Sequence, residues 1–217
     1  MILLIFIFLF ALIAFYFGNT VRKNSLILYI LFIILGVFSF LFSEVSIFKL
    51  INQGFLGFSL IYLVMIAGAF DNKSKIRKKL IGVRKEYSIL GFLAIAPHAL
   101  SKLIAGLSGE LPVAWFGIAT FLLMIPLFIT SFTFIRRKMK PKSWKQLQSL
   151  AYVIYFLLLI HLAINYTEII GLVIYIILFA FYIIKKIIYE LAKSKAKSIK
   201  KTKTTEIKYT EERRNNK

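Results

Sequence analysis

The chain has 217 residues, of which 59% are hydrophobic, a mean hydropathy of +0.80 and a formal net charge of +20. So much apolar sequence, gathered into runs that can cross a hydrocarbon layer of about 30 Å, excludes a soluble globular domain and indicates an all-α, polytopic membrane protein. Cysteine is absent, which excludes disulfides, iron-sulfur clusters, thiolate metal sites and covalently attached c-type haem. The basic residues lie between apolar runs, where they orient a membrane chain and meet anionic lipid, so nucleic acid is not an expected partner.

Seven spans are predicted in chain order: Met1 to Phe17, Leu26 to Phe42, Phe55 to Phe70, Ser88 to Ala105, Val113 to Phe134, Ser149 to Ile164 and Ile169 to Tyr189. The first lacks a basic n-region and a small-residue cleavage site before Arg22 and Lys23, so it reads as a retained helix and not as a cleaved signal. All the Lys and Arg residues except Lys49 and Lys102 fall in the first, third and fifth connections or in the tail from Lys185 onward. Segments rich in Lys and Arg stay in the cytoplasm. About seven helices with the N-terminus outside and the C-terminus cytoplasmic satisfy that count, in a multi-pass protein of the cell membrane. Residues 1–52 form two N-terminal helices, 53–189 a core, and 190–217 a basic cytoplasmic tail too polar to fold alone, expected to be disordered or to lie along lipid headgroups.

No G-x-G-x-x-G fingerprint occurs, and the tail is too short for a flavin or nicotinamide domain, so reducing equivalents would come from a partner or a lipid-soluble donor. The chain also shows no nucleophile with a paired base and no carboxylate pair, which argues against a self-contained hydrolase or transferase.

The two histidines are the chemically distinctive residues. His98 lies ten residues after Ser88 and His161 twelve after Ser149. On helices running in the same direction, a rise of about 1.5 Å per residue sets both imidazoles roughly 15 to 18 Å from the helix starts. Two imidazoles at one depth can clamp a haem iron from opposite faces. They also suit proton or ion handling, or hydrogen bonding between helices, and depth alone leaves these alternatives open.

Longer patterns bear on that choice. The segment IPLFITSFTFIRRKMKPKSWKQLQSLAYVIYFLLLIHLAI contains Pro126, Leu127, Thr130, Ser131, Arg136, Arg137, Trp144, Lys145, Leu147, Leu150, Tyr152 and His161, and VRKEYSILGFLAIAPHAL contains Arg84, Leu90, Gly91 and His98. In order and spacing these resemble the ferric reductase-like transmembrane domain family, over about Gln53 to Ile184. The nearest form of that family is the haem-binding membrane subunit of bacterial methionine sulfoxide reductase systems. The resemblance implies haem b held by His98 and His161. It also implies one haem rather than two, because Gln148 stands where the family commonly has a further histidine ligand, and an amide is a poor ligand for iron.

Lys102 and Asn165 each lie four residues beyond a histidine, on the same helix face, where they could meet haem propionates; for Lys102 a snorkelling side chain at a helix end is an equal alternative. The resulting expectation is a b-type cytochrome acting as the electron-transfer membrane subunit of an oxidoreductase. It would take electrons from quinol or a cytoplasmic flavoprotein and pass them outward singly through one bis-histidine haem, to ferric iron or an extracytoplasmic reductase. The competing expectation is a small haem-free transporter or scaffold that uses the two histidines for proton relay or interhelical bonding.

Overall fold

The computed structural model describes residues 2–165 and 168–215. Met1, Tyr166, Thr167, Asn216 and Lys217 lie outside the described residues, and with them the first residue of the first expected span and the last two of the tail. The chain folds as α1 (Ile2–Lys23), α2 (Ser25–Leu41), α3 (Ser46–Asn52), α4 (Phe55–Ala67), α5 (Lys75–Gly82), α6 (Arg84–Leu107), α7 (Trp115–Ser131), α8 (Thr133–Arg136), α9 (Pro141–Gln148), α10 (Leu150–Asn165) and α11 (Ile169–Asn215).

Each of the seven expected spans falls on one apolar helix. The stretches Ile2–Lys23, Arg84–Leu107, Pro141–Asn165 and Ile169–Ala196 are long and apolar enough to cross a membrane, while α2, α4 and α7 are shorter, with 17, 13 and 17 residues. The fold is an all-α polytopic bundle.

Contacts between named residues fix how the helices alternate. Gly18 faces Val83, and the Tyr87 hydroxyl donates to the Phe10 carbonyl at 2.7 Å, so α1 runs antiparallel to α6. Tyr29 shares a cavity with Lys85 while Gly36 packs on Pro97, so α2 runs parallel to α6. Phe92 stacks on Phe128 at 4.2 Å and the Ser88 hydroxyl bonds that of Ser131 at 3.3 Å, which sets α7 antiparallel to α6. Tyr175 meets Phe58 edge to face at 4.9 Å and Lys186 donates to the Gly68 carbonyl at 3.4 Å, so α11 runs alongside α4 in the same direction. One end of the bundle therefore collects Arg22, Lys23, α5, α8, α9 and Lys185. This is the basic end. The opposite end carries α3, the α6–α7 connection and the end of α10.

Helix α4 is the centre of the bundle because it is apolar on every face: each residue from Leu56 to Ala67 is buried. Lipid tails are as apolar as leucine, so helices in a bilayer associate through close van der Waals packing and hydrogen bonds, not through exclusion of water. Gly57 and Gly91 supply the close packing of α4 on α6: a methyl on Gly57 would lie 2.9 Å from Ile95 Cβ, and one on Gly91 2.8 Å from Ile61 Cδ1. Tyrosines supply the hydrogen bonds, with Tyr62 donating to the Leu178 carbonyl at 3.1 Å and Tyr87 to Phe10. Each such bond is worth about 0.6–2 kcal/mol in a membrane. Helices α1 and α2 instead present many exposed large side chains, among them Phe8, Tyr16, Leu26 and Leu31, and form the lipid-facing flank.

Helix α11 continues without a break through the basic tail to Asn215. After Gly171 the sequence contains neither Gly nor Pro, so nothing in the backbone ends the helix where the apolar residues stop.

Candidate functional site

Two of the bundle's cavities, one toward each end, are lined by residues that the sequence singled out. The first, about 310 Å³, lies among α4, α6, α7, α10 and α11 on the side away from the basic end, and both His98 and His161 line it. Most of the remaining wall is apolar, with Phe58, Leu103, Phe121 and Leu158 contributing from four different helices. The two histidines come from neighbouring positions in space although 63 residues separate them in sequence.

The backbone on either side is shaped around these rings. Gly54 adopts φ +79°, a left-handed conformation that ends the turn after α3 and starts α4. A methyl group there would sit 3.4 Å from the His98 ring. Gly117 on α7 is closer still: a methyl would come within 2.7 Å of His161 Cε1 and 2.8 Å of its Nδ1. No larger residue fits at Gly117 without moving the imidazole.

The two histidines are held differently. His98 Nδ1 lies 2.6 Å from the Asn52 carbonyl oxygen, which can only accept, so Nδ1 carries the proton and Nε2 keeps a free lone pair. Anchoring one ring nitrogen on a carbonyl is how proteins orient an imidazole that binds metal through the other. The Asn165 side-chain amide donates to the His161 backbone carbonyl at 2.8 Å and lies 3.3 Å from His161 Nδ1. Asn165 is thus bonded to the histidine one turn before it, and it does not line the cavity. Lys102 does line it, one turn from His98 on α6. Among the described residues no three His, Cys, Asp or Glu side chains gather into a metal site.

The second cavity, about 550 Å³, opens toward the basic end, and Gln148 lines it. The Gln148 amide reaches the Thr130 hydroxyl at 3.5 Å, and no histidine is among the lining residues. Met124 borders both cavities, and with Ile61 and Ile154 it forms a small buried apolar cluster at mid-depth.

Asn52, Gly54 and Gly117 are parts of the histidine cavity that sequence reasoning passed over. A glycine in a membrane helix is common, and a carbonyl acceptor is visible in no side chain. The only available signal was the position of Gln53 and Gly54 just before an all-apolar helix.

The ferric reductase like transmembrane component family matches residues 53–159, a stretch that contains His98, Gly117 and Gln148 and ends two residues before His161. An uncharacterized protein of Treponema pallidum (strain Nichols) is 27% identical, in an alignment covering 61% of this chain and 42% of that protein. The chain thus spans less than half the length of this relative. No solved structure matches. Residues 53–159, the central helices of the bundle, are thus similar to the ferric reductase like transmembrane component family, a likeness that points to electron transfer within a membrane.

Proposed function

We propose that the protein is a b-type cytochrome of the cell membrane that passes single electrons through one haem held between His98 and His161. The observation that carries this reading is that both imidazoles line one largely apolar cavity, with the His98 ring anchored through Nδ1 so that Nε2 is free. Apolar walls suit a flat apolar cofactor, and Gly54 and Gly117 leave room beside each ring. When bound, haem iron with two imidazole ligands supplies one-electron redox chemistry and has no open position for oxygen.

The chain's own residues do the rest. Asn52 fixes the His98 tautomer. For His161 to bind through Nε2, its Nδ1 must carry the proton, so Asn165 turns from its present donor contact to accept through its amide oxygen. Lys102, at the cavity wall, offers an ammonium group to an acidic substituent of the cofactor. The cavity lies away from the basic end, so, with that end cytoplasmic, electrons leave on the outer side. A quinol dissolved in the bilayer is the donor this placement favours over a cytoplasmic flavoprotein. Ferric iron or an extracytoplasmic reductase, such as a methionine sulfoxide reductase, is the acceptor.

Two measurements test the proposal. The pyridine haemochrome of purified protein should give about one haem per chain, because only one cavity is lined by two imidazoles; a haem-free spectrum after expression with ample haem would end it. A reporter fused after Lys217 should read as cytoplasmic; an external reading would reverse the direction of transfer.

A further inference from the structure

The basic-end cavity has a chemistry of its own. Its mouth is lined by Arg84, Lys85, Arg136 and Lys145, and no Asp or Glu is among its lining residues. Glu86, which is 3% exposed, pairs with the lining Lys85 at 3.1 Å. It offsets one of the four cations. Arg136 stacks over the Trp144 ring at 4.1 Å and holds the indole in the cavity wall. Trp144 Nε1 is buried and has no hydrogen-bond partner. Leaving such a donor unmade is costly, and the missing partner must be an acceptor, since an indole N–H can only donate. Deeper in, the lining turns apolar with Val64, Leu127 and Ile154.

We propose that this cavity binds the phosphate ester of an anionic phospholipid, with the phosphate among Arg84, Arg136, Lys145 and the Trp144 N–H and the apolar part of the lipid against the floor. An excess of cations, an unpaired donor and an apolar floor at a membrane-facing end together describe an amphiphile with an acidic head. A neutral lipid satisfies the floor but not the mouth. The inference is independent of the haem reading, and its readouts do not involve the histidines.

Native mass spectrometry of the full chain, released from nanodiscs containing phosphatidylglycerol or phosphatidylcholine, tests it. One phosphatidylglycerol should be retained in preference to phosphatidylcholine. Arg84→Gln and Lys145→Gln should each weaken that retention about fivefold, the effect of one basic residue at an anionic surface. The double variant Lys73→Gln/Lys75→Gln, at the same end but outside the lining, should not change it. In a Trp115→Phe background, which leaves Trp144 as the single indole, phosphatidylglycerol should shift Trp144 emission, and folded Arg136→Gln should lose that shift. Equal retention of the two lipids, or the same loss in the Lys73/Lys75 control, overturns the proposal. A Trp144 shift produced by inorganic phosphate without lipid assigns the site to free phosphate and overturns the lipid as occupant.

Discussion

The two cavities share helices α4, α6, α7 and α10 and have Met124 as a common wall, yet their chemistry is opposite. One is apolar with two imidazoles and a single lysine, and the other has four cations at its mouth and no imidazole. Backbone architecture therefore supplies two similar compartments, one toward each end of the bundle. A few side chains account for that difference in chemistry. Position 148 illustrates this: an amide there leaves the basic-end cavity without a metal-binding group, while its volume exceeds that of the histidine cavity.

The largest expected effect separates the compartments outright. His98→Ala or His161→Ala should abolish haem retention, since one remaining ligand leaves the iron weakly held, and the reduced absorption spectrum reads this directly. Gln148→His, by contrast, should leave the haem ratio unchanged, because no second imidazole lines the basic-end cavity. A ratio of two in that variant would show that the compartments differ by one residue only. Wild-type spectra in both alanine variants would remove the distinction altogether.

A smaller effect is expected at Gly117. With 2.7 Å between an added methyl and His161 Cε1, Gly117→Ala must displace the ring, at a cost of about 1–3 kcal/mol typical of overpacking. Haem should be lost at lower temperature than in the wild type, as followed by the Soret band during melting. An unchanged melting profile would mean that the imidazole moves freely, and that the cavity is less shaped than its glycines indicate.

The smallest effect concerns Lys102. Lys102→Ala should keep the haem and shift its midpoint potential by about 20–40 mV, under 1 kcal/mol for one electron, as expected of a partly screened charge. Redox titration measures it. Complete haem loss would instead make Lys102 a structural requirement of the cavity.

Much of this was legible in the sequence because membrane helices declare themselves. Seven apolar runs became seven apolar helices, since a bilayer demands that every backbone polar group be satisfied within its own segment. The common depth of His98 and His161 could be read for the same reason, as rise per residue is fixed in a helix. What could not be read was how particular helices meet. The closeness of Gly117 to His161 depends on the packing of α7 against α10, and the Asn52 carbonyl reaches His98 only because Gly54 turns the chain. Asn165 was placed on the His161 face by its four-residue spacing, and its contact there is with that histidine.

The cluster of Ile61, Met124 and Ile154 has one more consequence. Cavities entering a bundle from both ends would, if joined, make a pore, and a membrane that holds an ion gradient cannot tolerate one. These three side chains carry no group that can replace water around an ion or hand on a proton, and moving a charge through such a barrier is expensive. An apolar layer thus lies where the two cavities meet at Met124. A smaller residue at Met124 would put at risk the seal of the membrane before it touched either ligand.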